Sequence, residues 1–207
     1  MYPIYNSVLC VPCFIIYAFN GKMVVIFDDF LSLGDCARVI RLASDRLQPS
    51  EVVLEETGER QRHPDRVSDD MNFRKGETVF IRSLELRIAG LAGVGVENME
   101  ALHVVRYRPG GFYKPHYDFF NLEHGGYASL ISRGGQRVAT VIIYLNSPRA
   151  GGETVFPNLQ LTVPAVTGKA VLFNYPNVDT YSLHGGNPVL AGEKWILTAW
   201  IRTGTFI

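Results

Sequence analysis

Hydrophobic and polar positions in the N-terminal part of the chain predict a β-hairpin followed by a helix. The Asn20-Gly21 pair separates the apolar runs Phe14–Phe19 and Lys22–Phe27, and such a pair between two apolar runs is a strong short-range signal for a tight hairpin. Ser32 is a suitable N-cap for a helix that Pro49 would stop. The apolar residues of this helix recur at helical spacing: Leu33, Cys36, Ala37, Ile40, Ala43 and Leu47.

A second amphipathic helix is predicted from about Glu77 to the glycines around Gly93. Its apolar stripe consists of Phe80, Leu84, Ile88 and Leu91. The stretch between the two helices, residues 50–75, is polar and charged and contains Gly58, Pro64 and the Asp69-Asp70 pair. We therefore expect this stretch to be rich in loops.

Short β-rich runs dominate the chain from residue 101 onward, and glycine-containing turns separate them. The predicted strands are 101–107, 137–145, 160–163, 170–174 and 194–202. Many short strands at such spacing predict a sandwich or a barrel. The expected fold is thus of the α+β class and mainly β, in a single domain over residues 1–207. Residues 1–100 would supply the hairpin and the supporting helices, and residues 101–207 the β-barrel.

Composition and charge exclude several classes of protein. With 47% hydrophobic and 19% charged residues, the chain has the composition of an ordinary globular domain. The 20 basic residues balance the 20 acidic ones, so no basic field indicates a nucleic-acid partner. The apolar stretch Val8–Phe19 is shorter than the about 20 residues of a membrane span, and no Lys or Arg precedes it, as a secretory signal would require. We expect a cytoplasmic protein with no membrane partner.

Cysteine usage agrees with a reducing compartment, because three cysteines do not make a disulfide framework. Cys10 and Cys13 form a C-x-x-C pair, which is found in redox motifs and in half of a zinc site. The pair runs into the apolar stretch 14–17, and the sequence has no second cysteine pair to complete a zinc cluster. We interpret Cys10 and Cys13 as residues of a strand.

The residues with the clearest chemistry are two histidines and one aspartate. His116 and Asp118 are two positions apart, so in a strand their side chains would point to the same face. His184 follows on a later segment and is flanked by Gly185-Gly186, where the backbone can approach a ligand. Two histidines and one carboxylate form the facial triad of non-haem Fe(II) oxygenases, which leaves open positions for an oxoacid and O₂. Zinc accepts the same ligands, so the triad alone does not select the metal.

Lys194 favours an oxoacid-dependent enzyme. It stands at the start of the last predicted strand, where period-2 alternation places it on the face of Ile196, Thr198 and Trp200. A lysine that points into a barrel is costly to bury without a counter-charge. A dicarboxylate that pairs with Lys194 at one end and chelates iron at the other would remove that cost. The alternative is an exposed lysine at a strand end.

Several segments, in order, resemble prolyl 4-hydroxylases, and most closely the small single-domain members. The resemblance covers roughly residues 22–204 and is most specific in the C-terminal half. The matching segments are 106–118, 137–146, 151–157 and 182–202. The resemblance implies a double-stranded β-helix (jelly-roll) barrel buttressed by N-terminal helices. It also implies a dioxygenase that uses Fe(II), 2-oxoglutarate and O₂, with ascorbate as a further cofactor.

The resemblance implies roles for individual residues. His116, Asp118 and His184 match the iron ligands, and Lys194 matches the residue that binds the C5 carboxylate of 2-oxoglutarate. The positions that match further oxoacid contacts are Tyr107, Thr154 and Tyr144. The positions that match contacts to a peptide substrate are Tyr113, Arg137, Trp200, Arg202 and Arg66. Arg137 has a strand parity different from that of Tyr144, so a bulge or a strand end must intervene.

The implied activity is 4-hydroxylation of a prolyl residue in a peptide or protein, with succinate and CO₂ as co-products. One departure from the family bears on the substrate: the motif Arg-Thr-Ser is replaced by Arg66-Val67-Ser68 followed by two acids, Asp69 and Asp70. This loop helps to cover the substrate in relatives. Residues 119–135, which include His124, are interpreted as a mobile lid, and His63 and His103 as structural residues.

Three alternatives stay open at this point. The chain could hydroxylate a free amino acid or a small metabolite, which would require a closed pocket. It could be a non-catalytic binding module on a jelly-roll scaffold, in which the triad would be vestigial. It could also be a zinc-bound hydrolase or isomerase, which dependence on an oxoacid would exclude. Hydrophobic strands near the N-terminus are compatible with a homodimer.

Overall fold

The computed structural model describes residues 13–19, 21–54, 57–123, 125–175 and 180–207. The helices in these ranges are α1 (Leu33–Ala43), α2 (Val79–Ala92) and the short α3 (Ala128–Ile131). Single 3₁₀ turns lie at Ser44–Arg46, Val96–Asn98, Gly125–Tyr127 and Pro157–Leu159. None of the described helices is long and apolar enough to cross a membrane.

Both long helices begin at a residue whose side chain caps the helix, at Ser32 as predicted and at Thr78. The Ser32 hydroxyl accepts a hydrogen bond from the Asp35 amide at 3.0 Å, and the Thr78 hydroxyl accepts one from the Ile81 amide at 3.1 Å. The helix predicted from Ser32 is confirmed at its start but ends at Ala43, earlier than expected. The Ser44 hydroxyl donates to the Ile40 carbonyl at 2.7 Å, and the chain then tightens into a 3₁₀ turn.

Short strands make up most of the remaining regular structure. The strands of the N-terminal half are β1 (Cys13–Phe19), β2 (Lys22–Phe27), β3 (Gln48–Pro49), β4 (Val52–Val53), β5 (Arg60–Gln61), β6 (Arg66–Val67) and β7 (Asp69–Asn72). Those that follow are β8 (His103–Tyr107), β9 (Phe112–His116), β10 (Arg137–Tyr144), β11 (Ala150–Gly151), β12 (Thr154–Phe156), β13 (Leu161–Val163), β14 (Ala170–Asn174), β15 (His184–Gly186), β16 (Val189–Ala191) and β17 (Lys194–Arg202).

Two antiparallel sheets carry the architecture. The larger sheet has eight strands in the order β1-β2-β14-β10-β17-β8-β7-β3, and the smaller has five in the order β13-β12-β15-β9-β6. The pairs β4-β5 and β11-β16 form separate two-stranded sheets. The predicted irregularity near Arg137 is confirmed: Arg137 opens β10 opposite Arg202, and the register shifts before Ala139 pairs with Ile201.

The larger sheet is covered on both faces, which explains why β10 is apolar along most of its length. Val141 and Ile143 pack with α1 and α2 in one cluster of buried side chains. Ile142 and Tyr144 point the other way, into a second cluster that both sheets share. In this second cluster the ring of Phe156 meets the ring of Phe173 edge to face, with centroids 5.1 Å apart. Two sheets packed face to face and buttressed by helices form the expected jelly roll.

Most expected elements are present, with corrections at the short strands. The hairpin is confirmed, since Phe19 pairs with Lys22, and the five β-rich runs correspond to β8, β10, β13, β14 and β17. The stretch 50–75 is rich in loops, as expected, and also contributes the short strands β4 to β7. β4 pairs with β5, whereas β6 and β7 pair with the later strands β9 and β8. Cys10, the side chain of Cys13 and His124 lie outside the described residues.

Candidate active site

A cavity of about 930 Å³ lies between the two sheets, and side chains from both line it. The larger sheet contributes alternate residues of β17: Lys194, Ile196, Thr198, Trp200 and Arg202. This is the face on which the sequence pattern placed them. The smaller sheet contributes residues of β9 and β15, among them His116 and His184. The pairing of these two strands decides the geometry of the site.

The structure brings His116, Asp118 and His184 together in the lining of this cavity. His116 ends β9 and pairs with His184 at the start of β15. One ligand atom of each residue lies within 4.8 Å of the others. The carboxylate oxygens of Asp118 are 3.7 Å from Nε2 of His116 and 3.6 Å from Nε2 of His184. The sequence interpretation assumed that strand alternation orients Asp118. Asp118 lies just beyond the end of β9, so its orientation does not come from that alternation.

Hydrogen bonds set the orientation of both imidazole rings. Nδ1 of His116 is 2.9 Å from the carbonyl oxygen of Lys114, and Nδ1 of His184 is 3.0 Å from that of Ser182. A carbonyl accepts only, so Nδ1 carries the proton and the lone pair of Nε2 points at the carboxylate. Metal-binding histidines use their second nitrogen in this way.

A buried chain of hydroxyl groups orients the aspartate. The hydroxyl of Thr140 donates to Oδ2 of Asp118 at 2.7 Å and lies 2.7 Å from the hydroxyl of Tyr175. Sequence reasoning did not identify Thr140 or Tyr175 as part of the site. Thr140 is the one uncharged polar residue inside the apolar strand β10, and this was the available signal.

The protonation states of the cluster suit a divalent metal. Burial lowers the pKa of His116 far below its ordinary value, and the neighbouring His184 lowers it further, so the imidazole is neutral at neutral pH. Burial alone would raise the pKa of Asp118, but the two histidines and Arg137 lower it to about 2. The imidazoles of His116 and His184 together with the ionised carboxylate of Asp118 are the donor set of a 2-His-1-carboxylate iron site. The residues present therefore fit Fe(II).

Lys194 is a buried cation in the wall of the same cavity. Its side chain is 2% exposed, and no described carboxylate lies within ion-pair distance of Nζ. Burial lowers its pKa to about 8, although the charge of Glu153 acts in the opposite direction. Nζ is 5.3 Å from the ring centre of Tyr107 and 5.8 Å from that of Tyr144. An unpaired buried ammonium group is costly, so this wall fits an anionic ligand such as the carboxylate of an oxoacid.

The residues expected to contact the oxoacid are grouped around Lys194. Tyr107 lies opposite Lys194 in the β8–β17 ladder, and Tyr107 and Thr154 line the cavity. Tyr144 lies deeper and is fully buried, which raises the pKa of its phenol. Each would reach the ligand only as a neutral hydroxyl group.

Comparison with known proteins identifies the family. The family model of the 2OG-Fe(II) oxygenase superfamily matches residues 102–202. Prolyl 4-hydroxylase 1 of Arabidopsis thaliana is 37% identical over 198 residues, which span 86% of this chain and 68% of the relative. The chain belongs to the prolyl 4-hydroxylase family. Prolyl 4-hydroxylase 5 of the same plant is 35% identical and is covered over 69% of its length, against 88% of this chain.

Solved structures of prolyl hydroxylases share the fold. The viral collagen prolyl hydroxylase of Paramecium bursaria Chlorella virus-1, in its 2OG complex, superposes with a TM-score of 0.68 at 27% identity, over 88% of this chain and 97% of the viral one. A Pseudomonas putida prolyl-4-hydroxylase, at 20% identity and a TM-score of 0.60 over 86% of this chain and 91% of its own, shares the fold alone. As a member of this family, the chain is a 2-oxoglutarate-dependent dioxygenase.

The residues that match peptide contacts of the family also line the cavity. The ring of Tyr113 stacks on that of His116, with centroids 3.6 Å apart, and the guanidinium of Arg66 lies 5.1 Å from the centre of Tyr113. The guanidinium of Arg137 lies 3.9 Å from the ring centre of Trp200. Arg202 is 3% exposed, because its Nε bonds Glu100 at 2.7 Å. The same glutamate binds Arg137 at 2.6 Å.

The remaining histidines occupy two different environments. His63 lies in a loop, with Nδ1 3.5 Å from a carboxylate oxygen of Asp65. His103 lines the cavity and is buried, with Nε2 3.3 Å from the carboxylate of Asp70. The sequence interpretation took His103 as structural and placed Asp70 only in a loop that covers the substrate in relatives, because nothing in the local pattern links the two.

Proposed function

We propose that this chain hydroxylates prolyl residues of a peptide or protein at C4. The reaction would consume O₂ and 2-oxoglutarate and release succinate and CO₂. The observation that carries the proposal is that one cavity contains both a metal-binding cluster and a buried lysine. His116, Asp118 and His184 form the metal-binding cluster, and Lys194 is a buried cation without a carboxylate partner among the described residues.

Each group of residues has a distinct part in this reaction. His116, Asp118 and His184 would hold Fe(II), which supplies the O₂-activating redox chemistry when bound. Lys194 would bind the C5 carboxylate of 2-oxoglutarate as a fixed point charge, with Tyr107, Thr154 and Tyr144 as neutral hydrogen-bonding groups. Thr140 keeps Asp118 in position by donating to Oδ2.

Two observations support a peptidyl-proline substrate. The curated relatives named above are prolyl 4-hydroxylases, and a structural neighbour of lower identity is described as a prolyl hydroxylase in complex with a peptide fragment of hypoxia inducible factor. The cavity of about 930 Å³ lies near the upper end of the range of ligand pockets, about 300–1,000 Å³, and so has room for more than the oxoacid. Tyr113 and Trp200 would form aromatic walls for an extended proline-containing chain.

The decisive experiment is anaerobic reconstitution with Fe(II) and 2-oxoglutarate, followed by exposure to air with proline-containing peptides. Mass spectrometry should show a gain of one oxygen on proline, together with an equal amount of succinate. Both products should disappear in the His116→Ala variant. Fragmentation of the product identifies the oxidised carbon.

Other outcomes would redirect the proposal. Succinate without peptide oxidation would retain the dioxygenase and refute the peptide substrate, and free amino acids and small metabolites would then be tested in the same assay. Absence of both products from a folded, iron-loaded protein would favour a non-catalytic binding module.

We also propose that ascorbate sustains turnover, that the protein is cytoplasmic and that it forms a homodimer through its N-terminal strands. Family resemblance supports the first, three cysteines that make no disulfide framework support the second, and the apolar run of β1 at the edge of the larger sheet supports the third. Turnover number with and without ascorbate, cell fractionation and sedimentation velocity test them in turn.

A further inference from the structure

Tyr113 and Trp200, the aromatic side chains proposed as walls of the peptide groove, each pack against a supporting side chain. Both supporting side chains, Arg66 and His103, contact the carboxylate of Asp70. Tyr113 belongs to the smaller sheet and Trp200 to the larger, so no strand pairing fixes the distance between their rings. Asp70, in β7, lies between their supports and lines the cavity. The Asp69-Asp70 pair is also the place where the chain departs from the family motif.

On one side, Asp70 holds the support of Tyr113. Nη2 of Arg66 donates to Oδ2 of Asp70 at 2.8 Å, and the guanidinium lies 5.1 Å from the centre of the Tyr113 ring. Nε of Arg66 also donates to the hydroxyl of Ser68 at 3.1 Å. The arginine side chain is 10% exposed, so its position is defined by these contacts.

On the other side, the same oxygen holds the support of Trp200. Nε2 of His103 is 3.3 Å from Oδ2 of Asp70. The imidazole stacks on the indole of Trp200, with centroids 5.1 Å apart and an interplanar angle of 29°. Burial lowers the pKa of His103, so the ring is neutral and donates its Nε2 proton to the ionised carboxylate.

We propose that Asp70 is a positioning residue that sets the separation of Tyr113 and Trp200 and thereby determines affinity for the peptide. The proposal rests on the proposed function, because that function makes the two rings the walls of the substrate groove. Asp70 acts through Arg66 and His103 and does not touch the reacting groups. Its loss should therefore weaken peptide binding and leave the chemical step intact.

The neighbouring acid provides a matched control. Asp69 is in the same strand but does not line the cavity, because adjacent strand residues point to opposite faces. Its carboxylate binds Arg106 at 2.8 Å. Asp69→Asn and Asp70→Asn thus remove one charge each from adjacent positions of one strand, and only the second weakens contacts to residues that line the groove.

Steady-state kinetics with a proline-containing peptide form the first test. In Asp70→Asn we expect KM for the peptide to rise about tenfold, as for loss of a hydrogen bond to a charged group, with kcat and KM for 2-oxoglutarate unchanged. Asp69→Asn should match the wild type. Equal KM values in the two variants, or a loss confined to kcat, would overturn the proposal.

A second measurement does not depend on the substrate. The chain has two tryptophans, and Trp195→Phe leaves Trp200 as the sole indole; this background is needed because Arg106, the partner of Asp69, lies 5.4 Å from the Trp195 ring. In the Trp195→Phe background, acrylamide should quench the fluorescence of Trp200 more strongly after Asp70→Asn. After Asp69→Asn the quenching should equal that of the background itself. If quenching responds in this way but the wild type oxidises no peptide, the positioning role holds and the proposed function fails. If peptide is oxidised and quenching is the same in both variants, the positioning role is wrong and the function holds.

Discussion

At the scale of single residues, we predict that replacing Lys194 stabilises the free protein but removes the stabilisation that the ligand provides. An ammonium group that is 2% exposed and has no described carboxylate partner destabilises the fold. Lys194→Met should therefore raise the melting temperature of the apoprotein by several degrees and abolish the stabilisation that 2-oxoglutarate gives the wild type. Differential scanning fluorimetry with and without the oxoacid measures both effects.

A paired lysine and the pH dependence provide the controls for this prediction. Lys169→Met should lower the melting temperature, because Lys169 binds Asp28 at 2.5 Å.

The pKa of Lys194 is lowered from 10.5 to about 8. The unfolded chain thus binds more protons than the folded one between these values, and stability from this group rises with pH across that window. The Lys194→Met variant should lack this pH-dependent contribution to stability. If its stability depended on pH as that of the wild type does, the buried environment assigned to Lys194 would be wrong.

The second prediction at this scale concerns the effect of Thr140 on metal affinity. In Thr140→Val the side chain keeps its shape, but Oδ2 of Asp118 loses the hydrogen bond that orients it. Loss of such a partner lowers metal affinity by about 10–100-fold, and we expect this range for Fe(II) in competition titrations with a chelating dye. Tyr175→Phe keeps the bond from Thr140 and should have a smaller effect. Equal losses in both variants would show that the hydroxyl chain, and not the single bond, orients Asp118.

The sequence revealed the residues whose chemistry is visible in local spacing, and missed those that act across the fold. His116, Asp118 and His184 were recognised as a donor set because each residue type binds metal by itself. Thr140 and Tyr175 have ordinary chemistry, and only the β10–β14 pairing brings them to the carboxylate. The Asp70–His103 contact depends likewise on the β7–β8 pairing.

At the scale of elements, α2 contains one glycine, Gly90, and is capped by a second, Gly93, and replacing each by alanine should act in opposite directions. Gly90 lies inside the helix, and a Cβ there would meet no atom within 4 Å. Gly93 ends the helix with a φ of 68°, a conformation that favours glycine. We expect Gly90→Ala to stabilise the protein and Gly93→Ala to destabilise it, by about 1 kcal/mol each. Urea denaturation monitored by circular dichroism measures both, and catalytic activity should not change.

The elements that could be predicted are those with enough residues to show a period. Five β-rich runs and both long helices were recognised, because alternation and capping extend over at least one full repeat. β15 contains only His184, Gly185 and Gly186, and its strand character comes from pairing with β9 and β12. β9 contains Lys114-Pro115 and has no apolar alternation.

At the scale of the whole molecule, the larger sheet joins the two parts of the chain. β2 pairs with β14, and β7 pairs with β8, so strands that precede residue 100 flank the strands of the catalytic core. We predict that a fragment of residues 101–207 does not fold, and that the full chain unfolds in one transition. Circular dichroism and tryptophan fluorescence should then give coincident urea curves. Separate midpoints, or a folded fragment, would show that the halves are independent.

That Lys194 has no carboxylate partner among the described residues has a consequence for the abundance of the protein in a cell. A fold that is destabilised until a dicarboxylate neutralises Lys194 is partly unfolded more often when that metabolite is scarce. Proteases degrade the opened chain, so the amount of the enzyme, and not only its turnover, would follow the supply of 2-oxoglutarate. Abundance would thus report carbon status without any dedicated regulatory domain.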